Sequence, residues 1–167
     1  MSEDNPRRRV VFDCMIYLQA TISESGPAAA LLRLVESRAV SLFVSDEILA
    51  EVRDVLSHPK VRERNPRLTD ERVNAFITRL SERATVVDDV SRHFSYSRDP
   101  KDEKYIDLAV EVGARYIISR DKDLLDLMTG HTDECKDFRR RFRPLKVIEP
   151  VEFLKVVSSE LRSEQTD

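Results

Sequence analysis

The chain has 167 residues, a length typical of one domain, and 41% of them are hydrophobic, enough for a substantial core. A formal net charge of −3 excludes a uniformly basic protein that coats nucleic acid, although 35% of the residues are charged. No apolar stretch approaches the roughly 20 residues that span a bilayer, and no apolar segment precedes Val10 as in a secretory signal. We therefore expect a cytoplasmic protein that does not enter a membrane.

The rarity of glycine, histidine and cysteine excludes several kinds of site. The three glycines are far apart, so the chain has neither a Walker A loop nor a GxGxxG turn. Three separated histidines exclude an HExxH zinc site, and Cys14 and Cys135 form neither a disulfide framework nor a zinc pattern. Any chemistry must therefore come from carboxylates, hydroxyls, basic groups or an external metal.

Short apolar segments rich in β-forming residues alternate along the chain with segments of helical periodicity. The patterns predict five strands, at residues 9–12, 40–44, 85–88, 116–119 and 145–148. They predict helices at 28–36, 46–57, 70–84, 105–112, 124–128 and 150–161, and loops at 98–100 and 129–143. This alternation predicts an α/β fold with a mostly parallel five-stranded sheet flanked by helices. We divide the chain into a flexible N-terminus (1–8), one domain (9–157) and a polar C-terminal tail (158–167).

Carboxylates occur where the predicted strands end, and in parallel α/β sheets the sites form beyond those ends. The candidates are Asp13, Glu51, Asp99, Asp102, Asp121 and Asp123. Several carboxylates brought together would repel one another, and a bound divalent cation would relieve that repulsion. Oxygen ligands select Mg²⁺ or Mn²⁺ over Zn²⁺. For Asp13, Glu51, Asp102 or Asp121 taken alone, a structural role remains an equally good explanation.

The segments at 10–13, 45–52, 98–103 and 116–125 together resemble the PIN domain family, in an alignment covering roughly residues 9–157. The resemblance is closest to the branch that supplies the toxins of bacterial toxin–antitoxin pairs. It implies a three-layer fold around a twisted sheet. It also implies metal-dependent hydrolysis of phosphodiester bonds, usually in single-stranded RNA.

By position, four acids match the metal-binding and catalytic acids of the family: Asp13, Glu51, Asp102 and Asp121. Asp99 is a further candidate ligand, Ser119 matches the small hydroxyl residue beside the fourth acid, and Asp123 is an adjacent supporting acid. The resemblance implies Mg²⁺ or Mn²⁺ as cofactor. We expect Asp13 and Asp102 to be the main ligands, and Glu51 and Asp121 to bind through water or to orient the nucleophile.

The chain departs from the family pattern directly after the first acid. Where the family has a small residue and then asparagine, this chain has Cys14 and Met15. A thioether is only a weak acceptor and cannot replace the hydrogen bonds of an asparagine side chain. A catalytically weakened domain that binds RNA or a protein is therefore the alternative function. A phosphoacceptor signalling domain is disfavoured because Asp13 stands alone at the end of its strand.

Positive charge is concentrated in three clusters, at residues 7–9, 60–67 and 136–143. The third contains Arg139, Arg140, Arg141 and Arg143, interleaved with Phe138 and Phe142. We expect this cluster to hold the phosphates of RNA and to stack its bases. The alternative is a solvated segment anchored to the core by the two phenylalanines. The family resemblance also implies a homodimer and an antitoxin protein that binds near the acids.

Overall fold

Five parallel strands form one sheet in the order β3-β2-β1-β4-β5 in a computed structural model of the chain, which describes residues 5–166. The strands are β1 (Arg9–Phe12), β2 (Ser41–Ser45), β3 (Thr85–Val87), β4 (Tyr116–Ile118) and β5 (Lys146–Ile148). The predicted α/β class and five-stranded sheet are confirmed, and every strand pair is parallel. Because β1 occupies the centre, the residue that follows it emerges in the middle of the carboxyl edge of the sheet.

Helices flank the sheet throughout the described part of the chain. They are α1 (Cys14–Ile22), α2 (Pro27–Glu36), α3 (Asp46–Ser57), α4 (Pro59–Arg64), α5 (Asp70–Arg83), α6 (Glu103–Val112), α7 (Lys122–Thr129), α8 (Asp133–Arg141) and α9 (Pro150–Thr166). Single turns of 3-10 helix lie at Pro6–Arg8 and Pro100–Asp102. Within residues 5–166, no helix has both the length and the apolar character needed to cross a membrane.

Three helices were not predicted from the sequence: α1, α4 and α8. The predicted loop at 129–143 is wrong, because most of it is α8, which begins where the Thr132 hydroxyl accepts a hydrogen bond from the Cys135 amide. The last helix continues to Thr166, beyond its predicted end at 161. Parts of the predicted flexible N-terminus and tail, residues 1–4 and 167, lie outside the described residues.

Local capping signals set the ends of the predicted helices. The Ser45 hydroxyl accepts a hydrogen bond from the Ile48 amide at 3.1 Å and begins α3, as the sequence predicts. Gly113 ends α6 with φ of 64°, a left-handed conformation that glycine adopts without steric cost. These two positions explain why the helices around the carboxyl edge begin and end where the sequence suggests.

The core lies on both faces of the central strands. Val10, Val11 and Phe12 of β1 and Ile117 and Ile118 of β4 have no exposed surface. Burial of each such side chain stabilises the fold by about 1.5–3 kcal/mol. A strand buried on both faces has a continuous apolar sequence, which is why these short runs were recognisable.

Strand register brings the first pieces of the acidic edge together. Phe12 of β1 is paired with Ile118 of β4, so Asp13 and Ser119 leave the sheet side by side. The Asp13 amide donates to the Ile118 carbonyl at 3.2 Å, and the Ser119 amide donates to the Ile148 carbonyl at 3.0 Å. The backbone of both residues is therefore held in place by hydrogen bonds between neighbouring strands, independently of their side chains.

Candidate metal centre

Asp13 is a buried carboxylate held at the N-terminus of α1. Its side chain accepts hydrogen bonds from the amides of Met15 at 2.8 Å and Ile16 at 3.3 Å, and the neighbouring Ser119 hydroxyl also acts to lower its pKa. Burial raises the pKa of Asp13 despite these donors, and the nearby charge of Asp121 adds to the increase. The protein thus fixes this carboxylate at the sheet edge without supplying a counter-charge.

Asp102, at the end of the 3-10 turn before α6, is also buried and lacks part of its hydrogen bonding. Burial raises its pKa to about 8, and the neighbouring carboxylates of Asp121, Asp99 and Asp13 contribute further. Its Oδ2 atom is enclosed and has no hydrogen-bond partner among the described residues. A buried, unpartnered carboxylate oxygen is costly unless a proton or a cation binds to it.

Asp99, Asp121 and Asp123 each offer one oxygen, and these three oxygens lie within 4.8 Å of one another. Two backbone amides orient the cluster: the Lys101 amide donates to Asp99 at 3.1 Å and the Asp123 amide donates to Asp121 at 3.0 Å. Asp123 also pairs with Nε of Arg98 at 2.7 Å. The charge of Asp123 is therefore partly balanced within the protein, and its supporting role stays a prediction.

Glu51 projects from α3 and is held by two residues of α6 that were not singled out from the sequence. The Tyr105 hydroxyl donates to one of its oxygens, and Lys104 Nζ contacts the other. Burial opposes ionisation of Glu51, but hydrogen bonds from Lys104, Tyr105 and Cys14 outweigh it and lower its pKa. The structure thus ties Glu51 to α6, whereas Asp13, Asp99, Asp102 and Asp121 interact with one another.

Cys14 and Met15 lie between these two groups of acids. The Cys14 amide donates to the Tyr105 hydroxyl at 3.1 Å, and burial raises the pKa of the Cys14 thiol to about 12, so the thiol stays protonated. The Met15 side chain is 46% exposed, and the contribution of this residue to Asp13 is its backbone amide. The carboxylates at the sheet edge are therefore supported by backbone amides and by Ser119 in the region where the family pattern has asparagine.

The residues at the sheet edge fit a divalent cation. All of the candidate ligand atoms are carboxylate oxygens, the hard donors that Mg²⁺ and Mn²⁺ prefer. Asp102 has an enclosed oxygen without a partner among the described residues, and its pKa is raised first by burial and then by the neighbouring carboxylates. A cation would satisfy that oxygen and offset the mutual repulsion of the acids.

The third basic cluster is largely used within the fold. Phe138 is fully buried and packs against Phe94 and Phe142, so the expectation that it stacks bases is wrong. Arg139 donates to the carbonyls of Leu127 at 2.7 Å and Gly130 at 2.8 Å. The other three arginines bond to neighbouring groups, namely Asp137 for Arg140, Asp137 and the His93 carbonyl for Arg141, and the Arg139 carbonyl for Arg143. RNA binding by these arginines stays a prediction.

A parallel α/β sheet with carboxylates gathered beyond β1 and β4 defines a class of domains built around an acidic metal site. The family model described as PIN domain matches residues 9–123, which include all of the candidate acids. The chain therefore belongs to the PIN domain family, whose members are in general metal-dependent nucleases. No curated protein matches the chain.

Proposed function

We propose that this protein is an endoribonuclease that hydrolyses phosphodiester bonds of single-stranded RNA with Mg²⁺ or Mn²⁺ as its cofactor. The observation that supports it most is the state of Asp102, a buried carboxylate with an unpartnered oxygen beside three other acids. An oxygen-only site of this kind suits ions that keep coordinated waters and bind phosphates. Membership of a nuclease family supplies the reaction class.

The carboxylates would have different roles in binding the ion, according to the burial and hydrogen bonding of each. Asp13, fixed by the amides of Met15 and Ile16, and the buried Asp102 would hold the ion, and Asp99 would complete the set of oxygen ligands. A bound divalent ion lowers the pKa of a coordinated water and offsets negative charge on the reacting phosphate.

Asp121 is the acid best placed to handle the proton of the attacking water. Its carboxylate is half-buried and accepts a hydrogen bond from the Asp123 amide at 3.0 Å. The backbone amide of Asp121 donates to Ser119 Oγ at 2.9 Å. A carboxylate that is both fixed and accessible can accept that proton and orient the water in line with the scissile bond. Glu51 contributes through Lys104 and Tyr105, which position it at the flank of the site.

We further propose that the enzyme is the toxin of a toxin–antitoxin pair, acting as a homodimer in the cytoplasm. An antitoxin protein would bind near the acidic edge and keep the nuclease inactive. The support for this role is the segment-by-segment resemblance to the toxin branch of the family. Unregulated expression should then arrest bacterial growth, and expression of the Asp102→Asn variant should not.

The alternative is a PIN domain that binds RNA or a protein without cutting. Two observations favour it: Met15 is 46% exposed and its side chain has no carboxamide with which to support the acids, and Glu51 is bound by Lys104. This alternative predicts metal-independent binding and no cleavage. In that case Met15→Asn should restore activity.

Cleavage of an end-labelled single-stranded RNA by the purified protein tests the proposal. We expect cleavage with Mn²⁺ or Mg²⁺, none with a chelator, and a loss of at least about 100-fold in Asp13→Asn and Asp102→Asn. Asp54→Asn, which changes an exposed carboxylate of α3, is the matched control and should cleave normally. Full metal-dependent activity in both site variants would contradict the proposal.

A further inference from the structure

A cleft of about 820 Å³ lies between the C-terminal end of α1 and the connection from α4 to α5. It is at the opposite end of α1 from Asp13. Ile22 and Phe76 supply apolar surface within it, and Arg64, Arg67 and Arg72 surround them together with Glu24. The cleft therefore combines an apolar floor with a basic rim, and neither feature belongs to the acidic edge described above.

The three arginines of the cleft are available to a ligand. Arg64, Arg67 and Arg72 are exposed, and none forms an ion pair with a described residue. By contrast, Arg62 in the same segment bonds to Asp70 and is committed to the fold. With Glu24 the one acid among the lining residues, the cleft carries an excess of positive charge. Guanidinium groups bind phosphates in a planar, two-pronged manner and also stack on bases.

The apolar floor of the cleft is partly open to solvent and partly fixed. Ile22 is 46% exposed, one of the largest exposures of an apolar side chain in residues 5–166. Phe76 is half-buried, and its ring packs edge-on against Tyr17 with the centroids 6.5 Å apart. A fixed ring beside an exposed aliphatic side chain is a surface on which a base can stack in single-stranded nucleic acid.

One face of α1 links this cleft to the acidic edge. Met15 and Ile22 are seven positions apart, so they lie on the same face of the helix, and both are 46% exposed. The helix has nine residues and is therefore about 14 Å long. Its N-terminal end carries Asp13 and its C-terminal end forms a wall of the cleft. A strand leaving the acids along this face would enter the cleft directly.

We propose that the cleft is an anchoring subsite for single-stranded RNA, holding phosphates on Arg64, Arg67 and Arg72 and a base against Ile22 and Phe76. The RNA segment next to it runs along α1 to the acids. This inference rests on the nuclease function proposed above, because it places the substrate of that same site. An acidic protein segment would share the charge but has no bases to stack, so the apolar floor favours RNA.

Binding can be measured without cleavage by following the fluorescence anisotropy of a labelled 12-nucleotide single-stranded RNA in EDTA. The test protein carries Arg64→Gln, Arg67→Gln and Arg72→Gln. The control carries Lys146→Gln, Lys155→Gln and Arg162→Gln, which remove the same charge from exposed positions outside the cleft. Circular dichroism and Tm establish that both proteins are folded.

We expect at least a tenfold loss of affinity (about 1.4 kcal/mol) in the cleft variant and less than about a threefold loss in the control. Each phosphate contact to a single strand contributes about 0.7 to the slope of log K against log salt concentration. The slope should therefore fall by about 2 in the cleft variant. Ile22→Ser should weaken binding of the RNA but leave binding of an abasic strand of the same length unchanged.

Metal-dependent cleavage by the unmodified protein is measured in parallel, so that failure of the nuclease proposal can be distinguished from failure of the RNA subsite. If that protein cleaves RNA while the cleft variant keeps the original affinity and salt slope, the subsite is wrong and the nuclease stands. Arginine-dependent binding without cleavage by the unmodified protein supports the RNA site and overturns the nuclease. If poly-glutamate displaces the RNA at equal charge concentration, the cleft is a site for acidic protein and the RNA assignment is overturned.

Discussion

Asp102 and Asp121 lie beside each other at the carboxyl edge of the sheet, so their carboxyl groups interact directly. Burial, and after it the neighbouring carboxylates of Asp121, Asp99 and Asp13, raise the pKa of Asp102 to about 8. A divalent cation in the same place would make the proton unnecessary. We therefore expect Asp102 to keep its proton at neutral pH in the metal-free protein and to lose it when a cation binds.

The stability of the metal-free protein should fall as pH rises from about 4 to about 8. The folded state holds the proton of Asp102 up to about pH 8, whereas the unfolded chain loses it near the usual value of about 3.9. The unfolded state thus binds fewer protons in this window, and deprotonation favours unfolding. The contribution between pH 6 and pH 8 is on the order of 2 kcal/mol. Denaturant unfolding in EDTA at both pH values measures it.

Asp102→Asn should remove most of this pH dependence, because asparagine has no proton to lose. Asp54→Asn is the control, since Asp54 is exposed on α3 and should leave the dependence as it is. A pH dependence that is the same in all three proteins would show that Asp102 is not the group that titrates.

Glu51→Gln should reduce cleavage less than Asp102→Asn, by about tenfold against at least about 100-fold. Glu51 is bound by Lys104 and Tyr105, whereas Asp102 is buried and interacts with Asp121, Asp99 and Asp13. Single-turnover rates at saturating Mn²⁺ compare the two variants. Equal losses would mean that Glu51 leaves Lys104 and joins the ligands when the ion binds.

Tyr105→Phe should destabilise the protein by about 1–3 kcal/mol, because the Cys14 amide and Glu51 both lose a hydrogen-bond partner in a buried region. Tyr17→Phe is the matched control. Its hydroxyl is enclosed without a partner among the described residues, so its removal should be neutral or stabilising. Urea unfolding measures the free energy of unfolding of both variants. Equal losses of that free energy in the two variants would contradict this account of Tyr105.

Arg139→Ala should destabilise the fold by about 1.5–3 kcal/mol, since Arg139 of α8 donates to the carbonyls of Leu127, in α7, and of Gly130, which follows α7. Arg140→Ala should change stability by less than about 0.5 kcal/mol, because the Arg140 side chain is 79% exposed and pairs with Asp137 at the surface. Thermal unfolding compares them. A neutral Arg139→Ala would free that residue for the RNA role expected from the sequence.

The alternation of strands and helices was predictable because buried parallel strands and amphipathic helices have distinct periods. The first helix was not predicted because α1 is apolar on most of its surface, so no polar face reveals the helical period. Asp13, whose side chain caps the helix, was the available signal, but the same residue was also interpreted as a metal ligand. The α8 helix was not predicted because it is polar on most of its surface: only Cys135 and Phe138 of its residues are buried.

The acids of the site were predictable because carboxyl ends of parallel strands meet at one edge. The hydrogen bonding and burial of these acids could not be predicted from the sequence. The unpartnered oxygen of Asp102 depends on how the 3-10 turn at Pro100–Asp102 is buried in the folded protein, which no spacing encodes. Tyr105 and Lys104 likewise have ordinary positions in the first turn of a helix, and only the packing of α6 against α3 brings them to Glu51.

Titration of the purified protein with Mn²⁺, followed by the electron paramagnetic resonance signal of the free ion, tests most directly whether the acidic edge is a metal site. We predict saturable binding that is weakened at least about tenfold in Asp13→Asn and Asp102→Asn and is unchanged in Asp54→Asn. Binding of equal strength in all four proteins, or no binding by the unmodified protein, would contradict the account.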